Sequence, residues 1–162
     1  MRDENNIGFS VIASVILAGL LFQAANAIEL RVVMPRLLEL CVCYWVLSSP
    51  ARVGIIFAFS VGILISLIEG SLVGAASMGL SIVAYVLLRN IYTIRQLDWI
   101  LQTLVIFLLL GISVALQRVV LAALGVPSDG LGYLIAVVIS ALLWRPFNML
   151  IDTARFRIGR LL

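Results

Sequence analysis

The sequence contains no histidine, its 11 basic residues are all arginine, and its only cysteines are Cys41 and Cys43. Two thiols without histidine cannot supply the four ligands of a structural zinc site. The sequence also lacks paired carboxylates, a glycine-rich phosphate loop and any cluster of metal-ligating residues. These are the usual means of acid–base, phosphoryl-transfer and metal-assisted chemistry. We therefore predict that the protein is not an enzyme, with no catalytic residue, no cofactor and no metal ion.

Charged residues are also scarce, at 12% of the 162 positions, compared with about 25% in soluble domains. Hydrophobic residues reach 64% and the mean hydropathy is +1.21. So much apolar surface cannot be hidden inside a small soluble core, so lipid must cover part of it. The composition predicts an all-α integral membrane protein with a single transmembrane domain over residues 1–162. Cys41 and Cys43 are then buried packing residues rather than a disulfide, because positions i and i+2 of a helix face different sides.

Six apolar runs follow one another along the chain, and each is predicted to be a membrane-spanning helix. They cover residues 7–28, 35–47, 53–68, 72–88, 99–121 and 131–151. The first is predicted to be a retained span rather than a cleaved signal peptide, because its leader has no positive bias. The basic tail, residues 152–162, is predicted to be cytoplasmic, and anionic lipid of the inner leaflet suffices to attract it.

The arginines give the orientation, because cytoplasmic loops of membrane proteins carry the excess of basic residues. With both termini in the cytoplasm, the outer loops hold only Arg31 and Arg36. The cytoplasmic side then holds Arg2, Arg52, Arg89, Arg95, Arg155, Arg157 and Arg160. This distribution explains the net charge of +3 without a nucleic-acid partner. Arg118 and Arg145, near span ends, are expected to extend toward the headgroups.

Small residues recur at every fourth position through the third span and the following turn, which lets helices approach closely in lipid. The favoured interpretation is that the third and fourth spans pack on each other. The alternative is that part of this surface receives a helix of another protein. The candidate partner-binding residues are Pro50, Arg52, Gly54, Ala58, Gly62, Ser66, Gly70, Ser71, Gly74, Ser81 and Tyr85.

Ionisable residues in or beside a span are functional candidates by default. Arg36 and Glu39 are three residues apart and are expected to pair at the interface, with their charges toward water. Glu69 closes the turn after the third span and is a candidate partner of Arg31 or Arg36. The aromatic residues near span ends are expected to be interfacial belt residues. These are Tyr44, Trp45, Trp99 and Trp144.

The order of residues from about Met34 to Gln102 resembles that of the rod shape-determining protein MreD family. Its elements begin with Pro35, Leu37-Leu38 and Tyr44-Trp45, and continue as Pro50-x-Arg52-Val53-Gly54, Phe59, Gly62, Leu67-Ile68-x-Gly70-Ser71-x-x-Gly74, Ser81-Ile82-x-Ala84-Tyr85 and Arg95. One departure is Ser66, where members of the family often have aspartate. We therefore give little weight to a proton or ion function at that position.

The resemblance implies a non-enzymatic inner-membrane subunit of the bacterial elongation machinery. Its expected partners are a single-span MreC-like protein, the RodA glycosyltransferase with its transpeptidase, and, indirectly, MreB filaments. It also implies a six-helix bundle similar to the substrate-binding subunits of energy-coupling-factor transporters.

Two functions suit a bundle of this kind: a scaffold that binds partner helices, or a transporter subunit with a small-molecule pocket. A small-molecule site needs several convergent polar groups. The polar residues within the predicted spans are few and do not cluster in the sequence, which favours the scaffold.

Overall fold

A computed structural model of the chain describes residues 2–26, 36–71, 74–125 and 132–161. Within these ranges it is all-helical, with no β-strand, as the sequence predicts. The helices are α1 (Arg2–Asn26), α2 (Leu37–Ser48), α3 (Ile55–Glu69), α4 (Ala75–Arg89), α5 (Ile91–Gln96), α6 (Trp99–Ala123) and α7 (Gly132–Leu161). The predicted starts of the second, fourth and sixth spans, at residues 35, 72 and 131, lie outside the described residues.

The helices differ in how well their length suits a bilayer. Two of them contain stretches long and apolar enough to cross a membrane, Trp99–Ala123 in α6 and Leu134–Thr153 in α7. Ser10–Leu21, Leu37–Ser48, Ile55–Glu69 and Ala75–Arg89 are apolar but shorter. The 12 residues of α2 rise only about 18 Å, against a hydrocarbon core of about 30 Å. The predicted number of six spans therefore remains a prediction.

Helix α2 is the centre of the bundle. It packs against α1, α3, α4 and α7, and every residue from Leu38 to Leu47 is buried. A helix that is apolar on all sides needs neighbours on all sides, which explains its position. Cys41 and Cys43 are free and buried, which confirms the interpretation as packing residues.

Three of the four aromatic residues expected in an interfacial belt are buried instead, and that expectation was wrong for them. Tyr44, Trp45 and Trp144 belong to the core, whereas Trp99 is exposed. The indole Nε1–H of Trp45 donates to Ser14 Oγ of α1 at 2.7 Å. Tyr44 and Trp45 lie on the central helix α2, and Trp144 lies near the middle of α7 on its buried side.

Helices α3 and α4 approach each other closely at Gly62. A Cβ atom placed on Gly62 would lie 2.4 Å from Ser77 Cα and 2.7 Å from Ser77 N, so backbone would have to move. The connection begins at Gly70 and ends at Gly74, whose φ angles of +63° and +104° favour glycine. The favoured interpretation of the small-residue pattern, that these helices pack on each other, is confirmed.

A second close contact joins α4 to α6. A Cβ atom on Gly79 would lie 2.7 Å from Ser113 Oγ and 2.8 Å from Ser113 O. Sequence reasoning did not single out Gly79.

Two further elements differ from the sequence-based prediction. Residues 91–96, which lie between the predicted fourth and fifth spans, form α5. Arg95 of this helix donates to the carbonyls of Leu47 and Ser48 at the C-terminus of α2. Helix α7 includes Pro146 and continues to Leu161, ten residues beyond the predicted end of the span at 151. The basic tail is thus a continuation of the last helix.

Candidate functional site

Charged and polar side chains of four helices meet at one end of the bundle. Arg36 and Glu39 stand at the start of α2, Glu69 at the end of α3, Gln117 in the last third of α6 and Ser140 in α7. We call these five residues the polar cluster. Each is carried by an otherwise apolar helix, so the apolar packing described above brings them together.

The pair of Arg36 and Glu39 forms the centre of the polar cluster. Arg36 Nη1 lies 2.5 Å from Glu39 Oε1, and the two side chains are only 13% and 2% exposed. The expected pairing is therefore confirmed, but the expectation that the pair extends into water was wrong. Gln117 of α6 and Ser140 of α7 both contact Arg36 at the start of α2.

Gln117 links this ion pair to Glu69. Its Oε1 lies 3.4 Å from Arg36 Nη1 and its Nε2 lies 3.3 Å from Glu69 Oε2. Because both groups of the amide are used, one neutral side chain connects the cation of α2 with a carboxylate of α3. Gln117 is 4% exposed, so these interactions are shielded from bulk water and are stronger than they would be at a surface.

Ser140 ties α7 to the same place. The backbone N–H of Arg36 donates to Ser140 Oγ at 2.7 Å, and Ser140 Oγ in turn donates to Ala136 O at 2.6 Å. The first N–H groups of a helix have no acceptor within it. Ser140 supplies one from a helix more than a hundred residues away in sequence.

A pocket opens beside the ion pair, between α2 and α3. Arg36, Leu37, Leu38, Glu39, Ile65 and Glu69 line it, and its cavity volume of about 10 Å³ has room for about one water molecule. The second carboxylate oxygen of Glu39, Oε2, is buried and has no hydrogen-bond partner. The lining thus combines three charged residues with three aliphatic ones.

Sequence reasoning missed this cluster because it judged the intramembrane polar residues to be dispersed. Gln117 lies next to Arg118 in the long apolar run of α6, and Ser140 stands alone in that of α7. Only packing brings them to Arg36 and Glu39. The one signal in the sequence was the carboxylate of Glu39 inside an apolar run, which is costly without a partner.

The predicted partner-binding residues are divided by the structure into a buried and an accessible group. Ala58, Gly62 and Ser66 are buried on the side of α3 that meets α4, so they are not available to another protein. Of the others, Arg52, Gly70 and Tyr85 are exposed. The partly buried ones are Pro50, Gly54, Ser71, Gly74 and Ser81.

The opposite end of the bundle holds different polar contacts. Tyr44 Oη donates to Asp152 Oδ1 at 2.5 Å, linking α2 to α7. The guanidinium of Arg145 lies over the ring of Trp99, 5.4 Å from its centroid, so this arginine is held by an aromatic face.

Comparison with known proteins gives a consistent result. The model of the family described as rod shape-determining protein MreD matches residues 3–154. A curated relative, the rod shape-determining protein MreD of Haemophilus influenzae, is 30% identical over 100 residues. That alignment spans 62% of this chain and 62% of the relative. No solved structure matches the chain.

Proposed function

The chain belongs to the MreD family of rod shape-determining proteins, and on that premise we propose that it is a non-enzymatic inner-membrane subunit of the bacterial elongation complex. In this role it supports lateral peptidoglycan synthesis and keeps the cell rod-shaped. The observation that carries the proposal is the family match over residues 3–154, nearly the whole chain. The findings give no support to the alternative of a transporter subunit.

The proposal includes a six-span topology with both termini in the cytoplasm. The polar cluster supports it. The start of α2, the end of α3, the last third of α6 and the first part of α7 lie at the same end of the bundle. Six alternating spans place these four positions on one side of a membrane, the outer side when the N-terminus is inside. A helix as short as α2 is accommodated in a bilayer by local thinning or by flanking residues that extend to the headgroups.

The proposed partners are a single-span MreC-like protein and the RodA glycosyltransferase with its transpeptidase, with MreB filaments reached indirectly. The outer surface of α3 and α4 suits a membrane partner because it is broad and apolar. Its most exposed side chains include Ile56, Leu67, Met78 and Tyr85. Lipid covers this face when no partner does, and a helix can replace lipid by better packing.

The accessible part of the predicted partner surface lies beside this face. Arg52 precedes α3, Gly70 and Ser71 follow it, and Tyr85 lies on α4. We therefore place the partner contact on the accessible candidates, and we assign Ala58, Gly62 and Ser66 to internal packing.

Depletion of the protein in its own bacterium tests the function. We expect rods to widen and become spherical, and to recover when the protein is expressed again. Persistence of rod shape after full depletion, verified by immunoblot, would overturn the proposal.

A matched pair of tyrosine variants tests the partner surface. Tyr85 is 49% exposed and Tyr92, on α5, is 80% exposed. Tyr85→Ala is expected to reduce co-purification of the MreC-like partner by about tenfold, the loss for a contact residue worth about 1.4 kcal/mol. Tyr92→Ala is expected to leave it unchanged. Equal co-purification by both variants, at equal membrane levels, would remove Tyr85 from the interface.

A further inference from the structure

We propose that Arg145, held on the ring of Trp99, binds the phosphate of an anionic phospholipid in the inner leaflet. The inference rests on the proposed function for its membrane orientation, which places the start of α6 on the cytoplasmic side. It begins from the position of Arg145 inside the apolar stretch Leu134–Thr153 of α7. A charged side chain within a span is costly without a partner and is a functional candidate by default.

Arg145 lies on the exposed face of α7. Leu142 and Met149, three residues before it and four after it, are 73% and 57% exposed, and Arg145 is exposed as well. Positions with this spacing share one side of a helix. The arginine therefore stands on a surface whose neighbouring side chains suit the acyl chains of lipid.

The guanidinium of Arg145 lies at the level of the headgroups. It is 5.4 Å from the centroid of the Trp99 ring, and Trp99 is the first residue of the apolar stretch Trp99–Ala123. Tryptophan at the end of a span is typical of the boundary between acyl chains and headgroups. Arg145 itself is eight residues before Thr153, about 12 Å along the helix. Its side chain thus extends from the apolar stretch toward the boundary.

Arg145 has no anionic partner within the part of the chain that the structure describes. Its contact there is with the Trp99 ring, and it takes part in no ion pair or hydrogen bond with a described residue, Asp98 included. A guanidinium carries five N–H donors. The cation–π contact balances part of the charge but satisfies none of these donors. They remain available to an acceptor from outside the chain.

The level of the guanidinium favours a lipid phosphate over the carboxylate of a partner helix. Lipid phosphates surround the protein at this level. The cytoplasmic flank of a partner span is instead enriched in lysine and arginine, which Arg145 repels. Arginine also matches phosphate in shape, since two of its N–H groups can donate in parallel to two phosphate oxygens.

The charge around the site favours an anionic lipid over a zwitterionic one. Arg89 and Arg95 lie in the last turns of α4 and α5, on the side where α6 begins, and the only acidic residue between α4 and α6 is Asp98. In phosphatidylcholine an ammonium group lies close to the phosphate, and these arginines repel it. Phosphatidylglycerol carries no such second charge. Basic sites between helices on the cytoplasmic side are known to bind anionic headgroups.

The tryptophans make the site measurable by fluorescence. Trp45 and Trp144 are 0% and 2% exposed, whereas Trp99 is 56% exposed. Bromine on a lipid acyl chain quenches only tryptophans that it can approach, so the quenching reports mainly on Trp99. The full chain is reconstituted in phosphatidylcholine bilayers with increasing fractions of brominated phosphatidylglycerol or, in parallel, brominated phosphatidylcholine.

We expect the binding constant from the quenching curve to be about fivefold higher for phosphatidylglycerol than for phosphatidylcholine. Unbrominated phosphatidylglycerol at the same fractions is expected to leave the fluorescence intensity unchanged. Equal quenching by the two brominated lipids in wild type would overturn the proposal.

A matched pair of variants assigns the preference to Arg145. Arg145→Gln and Arg89→Gln each remove one positive charge from an exposed position at the same end of the bundle. We expect the preference to disappear in Arg145→Gln and to persist in Arg89→Gln. An equal loss in both variants would mean that the basic end attracts anionic lipid without a specific site, and the proposal would fall.

The fold of each variant is checked by far-UV circular dichroism in phosphatidylcholine alone. If Arg145→Gln fails to fold, Arg145→Lys takes its place. Lysine keeps the charge but offers no pair of parallel hydrogen bonds, so the preference should fall. An unchanged preference in Arg145→Lys would overturn the proposal.

Two further arms distinguish the source of the anion. Inorganic phosphate that removes the lipid preference, at an ionic strength where sodium chloride does not, would assign the site to a free ion and overturn the proposal. Reduced co-purification of the MreC-like partner with Arg145→Gln, at an unchanged lipid preference, would assign the guanidinium to a protein carboxylate and would also overturn it.

The outcome is separable from that of the proposed function, because the fluorescence is measured on the purified chain. Round cells after depletion together with equal quenching by both lipids would leave the function intact and reject only the lipid site. A preference for phosphatidylglycerol in a protein whose depletion leaves rods unchanged would reject the function and keep the site.

Discussion

The contact between α3 and α4 and the polar cluster hold helices together in different ways. At Gly62 the two backbones meet with no side chain between them, and the attraction is the sum of many weak dispersion contacts. In the polar cluster a few groups carry the contact: one ion pair, one amide and one hydroxyl join four helices. The first contact depends on shape and the second on charge.

The difference predicts how each contact fails. A shape contact is broken by adding atoms, even a single methyl group, because there is no room for them. A buried charge contact is broken by removing one partner, because the remaining charge stays buried and unpaired. The removal of both partners is much less harmful. The predictions below use this contrast.

The largest effect is expected for Arg36→Met, which leaves Glu39 buried without its partner. The free energy of unfolding should fall by about 3–5 kcal/mol, measured by denaturant titration in detergent with far-UV circular dichroism. The double variant Arg36→Met/Glu39→Met should recover most of the loss, since it leaves no unpaired charge.

An additive loss in the double variant would contradict this account. It would mean that Arg36 and Glu39 contribute independently, with no interaction free energy between them, and that charge and shape contacts differ less than we infer.

A smaller effect is expected for Gly62→Ala, whose methyl group would meet Ser77 backbone atoms. The free energy of unfolding should fall by about 1–3 kcal/mol. Gly111→Ala is the matched control, because a Cβ atom on Gly111 in α6 meets nothing within 4 Å. It should stabilise the helix by up to about 1 kcal/mol, since alanine is the better helix former. Thermal unfolding of both variants is measured in one detergent. If the close approach is real, the unfolding midpoint falls in Gly62→Ala and rises in Gly111→Ala.

The smallest effect concerns the contact of α1 with α2, which combines shape with one hydrogen bond. Ser14→Ala removes the hydroxyl that accepts from the buried Trp45 Nε1–H. We expect the free energy of unfolding to fall by about 0.6–1.5 kcal/mol and the tryptophan fluorescence spectrum to change. Ser60→Ala is the control, because its hydroxyl is exposed and bonds only to the carbonyl of Ile56 in its own helix. If both substitutions lower the free energy of unfolding equally, the hydrogen bond between α1 and α2 makes no measurable contribution to stability.

The two contacts also differ in how far the sequence reveals them. The stripe of small residues in α3 repeats at helical spacing, so its packing against α4 follows from periodicity. The bounds of α6 also agree with the predicted span at residues 99–121, because one continuous apolar run follows the polar Asp98. Of the polar cluster the sequence indicates the pair of Arg36 and Glu39, and Glu69 as a candidate partner. The rest could not be predicted, since Gln117 and Ser140 carry no information about their distance from Arg36. Gly79 was missed because one glycine in an apolar run forms no pattern.

The hydrogen bond from Arg36 to Ser140 joins residues 104 positions apart, and this separation has a consequence for synthesis at the ribosome. At about 5–20 residues per second, Ser140 emerges roughly 5–20 seconds after Arg36. During that interval the start of α2 lacks an acceptor that it has in the finished protein, and Gln117 also comes late. The central helix of the bundle is thus made early but completed late. A chain that stops before α7 leaves the backbone N–H of Arg36 without the acceptor that Ser140 supplies.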